Sequence, residues 1–198
     1  MKLVRALKTM AFCVWFGVVA FGVSRMWRYE ATAGPHTSLA ATWPATSAIP
    51  RPNGKQMIIM FAHPRCPCTR ATLHELLRIV SRARVSVKVY IVFYSPPNAS
   101  AEWKGGELYE LARSIPGAIV STDVGGVESR RFQATTSGQT LLFSSNAQLL
   151  FTGGITAARG HDGDNDGEDA LLSLISGGHS GQVEYPVYGC AIRDSGSK

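Results

Sequence analysis

Apolar and polar positions alternate along this chain in runs that predict a series of elements. Residues 55–61 (KQMIIMF) form an apolar run of strand length. Residues 69–80 (TRATLHELLRIV) place Leu73, Leu76, Leu77 and Val80 at helical spacing. Residues 85–94 (VSVKVYIVFY) are β-branched and aromatic, the composition of a strand. Residues 102–115 predict a helix interrupted by Gly105 and Gly106, residues 118–121 a short strand, and residues 127–133 a helix. Residues 140–143 and 148–152 flank the turn SSNA as a hairpin, and residues 167–175 form a last helix stopped by Gly177 and Gly178. The order β-α-β-α-β-α-β-β-α predicts an α/β domain over residues 55–190, with a central sheet flanked by helices and a short tail at 191–198. Right-handed crossover makes its first two strands parallel neighbours.

A different pattern precedes the domain. Residues 10–23 (MAFCVWFGVVAFGV) carry no charge, and Lys8 and Arg25 bracket them. Counted from 6 to 27, the run reaches roughly 33 Å at about 1.5 Å per residue, enough for a bilayer core. Trp27 and Tyr29 fall where interfacial aromatics sit, and both flanking cations can snorkel. Residues 1–29 therefore predict a single membrane anchor. Lys2, Arg5 and Lys8 before the run place the N-terminus in the cytoplasm and the domain outside it. A cleaved signal peptide ending near Ala31-Thr32-Ala33 is the rival reading, and a buried soluble helix a third. Residues 30–54, rich in Ala, Thr and Pro, read as a flexible linker.

Charge and composition narrow the function classes. The chain of 198 residues has a net charge of +6, but residues 1–30 hold +4 of it and the rest only +2. The excess flanks the apolar run, so it marks membrane topology rather than a phosphate-binding groove, and no nucleic-acid partner is expected. Four cysteines are too few for a disulfide-stapled miniprotein.

The chemistry concentrates at His63-Pro64-Arg65-Cys66-Pro67-Cys68, which joins the first strand to the first domain helix. A helix N-terminus offers unpaired N–H groups and a positive dipole end, both favouring thiolate at Cys66. Arg65 and Arg70 add positive charge nearby, and Pro67 is tolerated in a first turn. A disulfide within Cys-x-Cys closes a small, strained ring and would be a relatively oxidising couple. Cys190 is the third cysteine of the domain, while Cys13 lies in the apolar run. Three domain cysteines leave one unpaired in any intrachain scheme, which suggests exchange: Cys66 with Cys68, then Cys68 with Cys190. A merely structural thiol at Cys190 is the alternative.

The run FAHPRCPC after an apolar strand resembles the active-site entry of the thioredoxin-like superfamily. Relative to Phe-x-Ala-x-Trp-Cys-x-x-Cys, it shortens the cysteine spacing by one and puts Arg65 in place of tryptophan. Together with residues 153–161 (GGITAARGH), Gly163-Asp164-Asn165 and Tyr188-Gly189-Cys190, it is most similar to bacterial RedB-type, membrane-anchored thioredoxin-like proteins. The resemblance implies a thioredoxin-like central sheet and a single-pass protein of the cell inner membrane with its domain in the periplasm. It further implies a thiol–disulfide oxidoreductase acting through the Cys-Pro-Cys motif on a thiol or disulfide protein partner, without a required cofactor. In that reading Cys66 is the nucleophile, Cys68 resolves the mixed disulfide, and Cys190 is a second acceptor. One departure stands out: residues 135–140 (TTSGQT) hold no proline where thioredoxins carry a cis-proline before the terminal hairpin.

Two further readings remain open from the residues. Cys66 and Cys68 with His63 and His161 make a set suited to copper or zinc, for a metal-binding or delivery protein. A non-catalytic anchored binding module is the third. Residues 162–167 (DGDNDG) match the opening of a calcium loop, but Ser173 stands where the bidentate glutamate belongs, and an acidic helix start explains them equally.

Overall fold

The computed structural model describes residues 2–35, 42–83, 85–100, 103 and 105–193. The chain divides into two compact units after Thr32. The first is one helix, α1 (Lys2–Glu30), which buries no residue against protein. It is long and apolar enough to cross a membrane.

The second unit follows the expected order: β1 (Met57–Ala62), α2 (Cys68–Arg82), β2 (Lys88–Ser95), α3 (Glu107–Ser114), β3 (Ala118–Val124), α4 (Val127–Arg131), β4 (Gln139–Phe143), β5 (Leu149–Gly153) and α5 (Asp166–Ile175). The strands form one sheet in the order β3-β2-β1-β4-β5. β1 runs parallel to β2 and β2 to β3, whereas β1–β4 and β4–β5 are antiparallel. β1 is thus central, and all of its residues are buried. Its period of two sends Ile58, Met60 and Ala62 into a core shared with Leu73, Leu76 and Ile79 of α2, Tyr109 and Ala112 of α3, and Leu171 of α5. Met57, Ile59 and Phe61 enter a second core with Phe132, Leu141, Phe143 and Ile192. Continuous burial on both faces is why β1 reads as an unbroken apolar run rather than an alternating one.

Three expectations need correction at the level of boundaries. α3 begins at Glu107, because Gly106 sits at φ 99° just before it, a conformation no helical residue adopts; residues 102 and 104 lie outside the described set. The 30–54 linker is not a free tether in its described part. Trp43 packs edge-on to Phe132 and Phe143 at 5.1 and 4.9 Å, Ile49 is buried, and the Ser47 hydroxyl donates to Glu128 at 2.7 Å. Two apolar residues among Pro, Ser and Thr show no period, yet they cover the sheet face that α4 leaves open. The domain correspondingly extends past Cys190: Ile192 is buried in the second core and Arg193 donates to Ser129 Oγ at 2.7 Å. Residues 194–198 of the expected tail lie outside the described residues.

The acidic stretch before α5 acts as a helix start docked on α2. Asn165 caps α5 by accepting the Glu168 N–H at 3.0 Å. Asp164 pairs with Arg78 at 3.0 Å, Glu168 with Arg78 and Arg82 at 3.3 and 3.0 Å, and Asp162 with His74 at 3.3 Å. The buried Glu75 carboxylate accepts the Gly163 N–H. These carboxylates therefore answer to α2, and they hold residues 160–167 beside the cysteine-bearing helix.

Asp123 secures the opposite face. Its buried carboxylate accepts the N–H groups of Glu128 and Ser129, both at 2.9 Å, and so holds the start of α4. Asp123→Ala leaves two buried donors unpaired and lowers stability by about 2 kcal/mol, measured by urea unfolding of the detergent-solubilised chain. Asp123→Asn, which keeps one acceptor oxygen, costs clearly less.

Candidate active site

Three cysteines meet at the N-terminal end of α2. Cys66 lies on the turn after β1, fixed by its N–H to the His63 carbonyl at 3.1 Å and by its own carbonyl accepting the Thr69 N–H at 3.1 Å. Cys68 is the first residue of α2, one residue beyond Pro67, which already has helical φ and ψ of −62° and −29°. Cys190 arrives from the irregular segment after α5 and is half-buried. Cys66 is 1% and Cys68 6% exposed. A shallow cavity of about 250 Å³ opens onto Cys66, lined also by Pro64, Arg65, Pro67, Arg70 and Leu108.

The electrostatics separate the three thiols. Burial pushes the Cys66 thiol up, but the hydrogen bonds it accepts outweigh burial, and its pKa falls below the ordinary thiol value. The donors are the Cys190 N–H and thiol, the Cys68 N–H and the Thr69 hydroxyl. Burial and the negative charge of Cys66 push Cys68 up. The same two causes, with the hydrogen bond to Cys66, push Cys190 up to about 12. Cys66 is therefore the most readily ionised thiol of the set, with Cys68 and Cys190 both shifted the other way. The first turn of α2 supplies two of these donors, the Cys68 N–H and the Thr69 hydroxyl; Cys190 supplies the other two.

Ser137 connects these donors to the sheet. It sits in the loop before β4, where its hydroxyl accepts the His63 N–H at 2.8 Å and lies 2.9 Å from the Thr69 hydroxyl. Having accepted from His63, Ser137 has its own hydrogen to give to Thr69, and the Thr69 hydrogen is left for Cys66 and the His63 carbonyl. The loop is itself held from both ends of the domain. The Pro35 carbonyl accepts the hydroxyls of Thr135 and Thr136 at 2.6 and 2.8 Å, and residues 190–192 pair along its other side.

Among solved structures, an uncharacterized conserved protein from Geobacillus kaustophilus superposes with a TM-score of 0.60 at 15% identity, over 85% of this chain and 95% of that one. A hypothetical protein from Sinorhizobium meliloti gives 0.57 at 16% identity, over 83% and 96%. A secreted Mycobacterium tuberculosis disulfide oxidoreductase homologous to E. coli DsbE gives 0.45 at 13% identity, over 63% and 83%. No protein-family model and no curated protein sequence matches the chain. At these identities the likeness is one of fold. The deciding observation is the β1–α2–β2 unit, with its cysteine turn, set beside an antiparallel β4–β5 hairpin and a last helix. The domain has a thioredoxin-like fold.

Within that fold, the loop before β4 uses Ser137 and hydrogen bonds in place of proline to face the cysteines. The arginines beside the motif are engaged by other side chains. The Arg65 guanidinium lies over the Trp103 ring at 4.0 Å, and Arg70 makes a two-pronged pair with Glu107 at 2.6 Å. Arg159 bears on Cys68 and Cys190, favouring their thiolates, and donates to the Gly189 carbonyl.

The expected metal set does not form. His63 Nδ1 accepts the Arg65 N–H at 3.1 Å, and its ring stacks on Tyr94 at 5.7 Å. His161 lies on an exposed loop, its N–H directed at the Ala158 carbonyl at 3.4 Å. Among the described residues no three His, Cys, Asp or Glu side chains form a group that could hold a metal ion. Among the described residues, Cys66, Cys68, His63 and His161 are thus not brought together as one ligand group.

Ser137, Thr69 and Arg159 were not legible as site residues. Ser137 and Thr69 are ordinary polar residues in sequence, and only the missing proline drew attention to the loop. Arg159 sits in a distinctive segment whose spatial target is invisible without the fold.

Close backbone packing brings Cys190 in. A Cβ on Gly189 would stand 2.0 Å from the Ser137 carbonyl oxygen, so only glycine permits this approach. Gly189→Ala is expected to lift residues 189–192 off the loop. Amide exchange at Ser137 and Ile192 then accelerates roughly tenfold or more, read by hydrogen exchange and mass spectrometry.

Proposed function

We propose that this chain is a membrane-anchored, extracytoplasmic thiol–disulfide oxidoreductase of the RedB type, with Cys66 as its nucleophile. The observation that carries the reading is the convergence of four hydrogen-bond donors on the Cys66 sulfur, which favours its thiolate against the cost of burial. A structural core cysteine has no use for such donors. A nucleophile does, because attack on a disulfide requires the thiolate.

The reaction begins with the Cys66 thiolate attacking one sulfur of a partner disulfide. This forms a mixed disulfide and releases the other partner sulfur as a thiolate. The cavity at Pro64, Arg65 and Pro67 gives the approach to the sulfur. Two further thiols, Cys68 and Cys190, lie within reach of the intermediate. The partner is a thiol or disulfide protein of the compartment that the domain faces. With α1 as a retained anchor, and with the basic residues at its start on the cytoplasmic side, that compartment is the periplasm and the membrane the cell inner membrane.

The test uses full-length protein in detergent, a disulfide-linked reporter peptide and a small dithiol as electron donor. Wild type is expected to accelerate reporter cleavage, and Cys66→Ser to lose roughly a hundredfold or more of that rate. Wild-type protein no faster than the dithiol alone contradicts the reading.

A further inference from the structure

The segment that carries Cys190 is built into the site rather than merely lying near it. Residues 190–192 run antiparallel to the loop before β4. Thr136 bridges Ala191, the Ser137 N–H donates to the Cys190 carbonyl at 2.8 Å, and the Ile192 N–H donates to the Thr135 carbonyl at 2.9 Å. On one side the strap is tied by Tyr185 and Val187, both buried, and by the Arg159 guanidinium on the Gly189 carbonyl. On the other it is tied by Ile192, at 1% exposure, and by Arg193, which donates to Ser129 Oγ and the Ala134 carbonyl at 2.7 and 3.2 Å. Between these ties both the N–H and the thiol of Cys190 point at the Cys66 sulfur.

Cys68 also hydrogen-bonds to the Cys66 sulfur, but from within the same turn, separated from it only by a proline that is already helical. Closing a bond between them asks the turn to leave the backbone conformation that starts α2, and such geometry stores strain. Cys190 meets Cys66 from an independent segment and imposes no such ring.

We infer that Cys190, not Cys68, is the resolving cysteine, and that the chain's own disulfide is Cys66–Cys190. This rests on the oxidoreductase reading and adds the identity of the second thiol. After Cys66 has formed the mixed disulfide with one partner sulfur, the Cys190 sulfur attacks Cys66 Sγ. The Cys66–partner bond breaks, the partner sulfur leaves with the electron pair of that bond, and the proton given up by Cys190 goes to a departing sulfur. The two thiols of the chain have become one disulfide, and the partner disulfide has become two thiols, a balanced two-electron exchange. An external dithiol protein returns the chain to its reduced form by the same steps in reverse. Cys68 stays a thiol throughout and serves the site through its N–H.

The experiment is disulfide mapping by mass spectrometry. Full-length protein in detergent is equilibrated in glutathione buffers of graded ratio and quenched with acid. Wild type and Cys68→Ser are both expected to yield the Cys66–Cys190 linkage, with midpoints within about twofold in the governing glutathione ratio. Cys190→Ser is expected to form no intrachain linkage and to accumulate glutathione on Cys66. A Cys66–Cys68 linkage in wild type, lost in Cys68→Ser, overturns the inference while leaving Cys66 an exchanging thiol and the oxidoreductase reading intact. Cys66 that forms neither glutathione adduct nor linkage in any of the three proteins overturns both. Because Cys68→Ser leaves the strap and its ties in place, the comparison stands even if Cys190→Ser does not fold.

Discussion

A buried sulfur can carry charge only where the protein replaces the water it has lost, and this site is organised around that requirement. Cys66 is almost wholly enclosed, so desolvation alone would hold it neutral. The replacement comes from three places in the chain: the N–H of Cys68, the hydroxyl of Thr69, and the N–H and thiol of Cys190. The first two follow from the helix that starts beside Cys66. The third requires the end of the domain to return across the sheet to the loop before β4.

That return explains much of the architecture around the site. Residues 33–35 and 185–193 flank the Thr135–Ser137 loop, and the Gly34 N–H donates to the Val187 carbonyl at 2.7 Å, so the two segments support each other. Trp43 and Ile49 fill the second core beside Ile192, and the carboxylates before α5 hold the Arg159 segment against α2. Where a thioredoxin fold usually shapes this loop with a proline, here hydroxyls and a paired strap do so. The exchange has a chemical consequence. The strap carries a thiol, so the element that shapes the loop also brings a reducing equivalent to Cys66.

Element order was legible in the sequence, because each core-facing element keeps its own period: Leu73 and Leu76 on one face of α2, unbroken apolarity in the doubly buried β1, and β-branched residues in β2. The cysteine turn was legible as well, since a reactive pair between a buried strand and a helix is a local pattern. The partner of Cys66 was not. Residues 178–193 have no period that would reveal where they dock, and their contacts with residues 135–137 are made by backbone groups that every residue possesses. Proximity in sequence likewise did not show that Arg65 and Arg70 are engaged by Trp103 and Glu107.

The claim that neutral donors hold Cys66 ionised is tested most directly by titrating the three domain thiols separately. Reduced full-length protein is pulsed with a small alkylating agent across a pH series, and each cysteine is read by mass spectrometry. The account predicts that Cys66 ionises below the ordinary thiol range, Cys68 above it, and Cys190 last, with its pKa at about 12. Cys66 titrating at or above the ordinary thiol value, or together with Cys190, would contradict it.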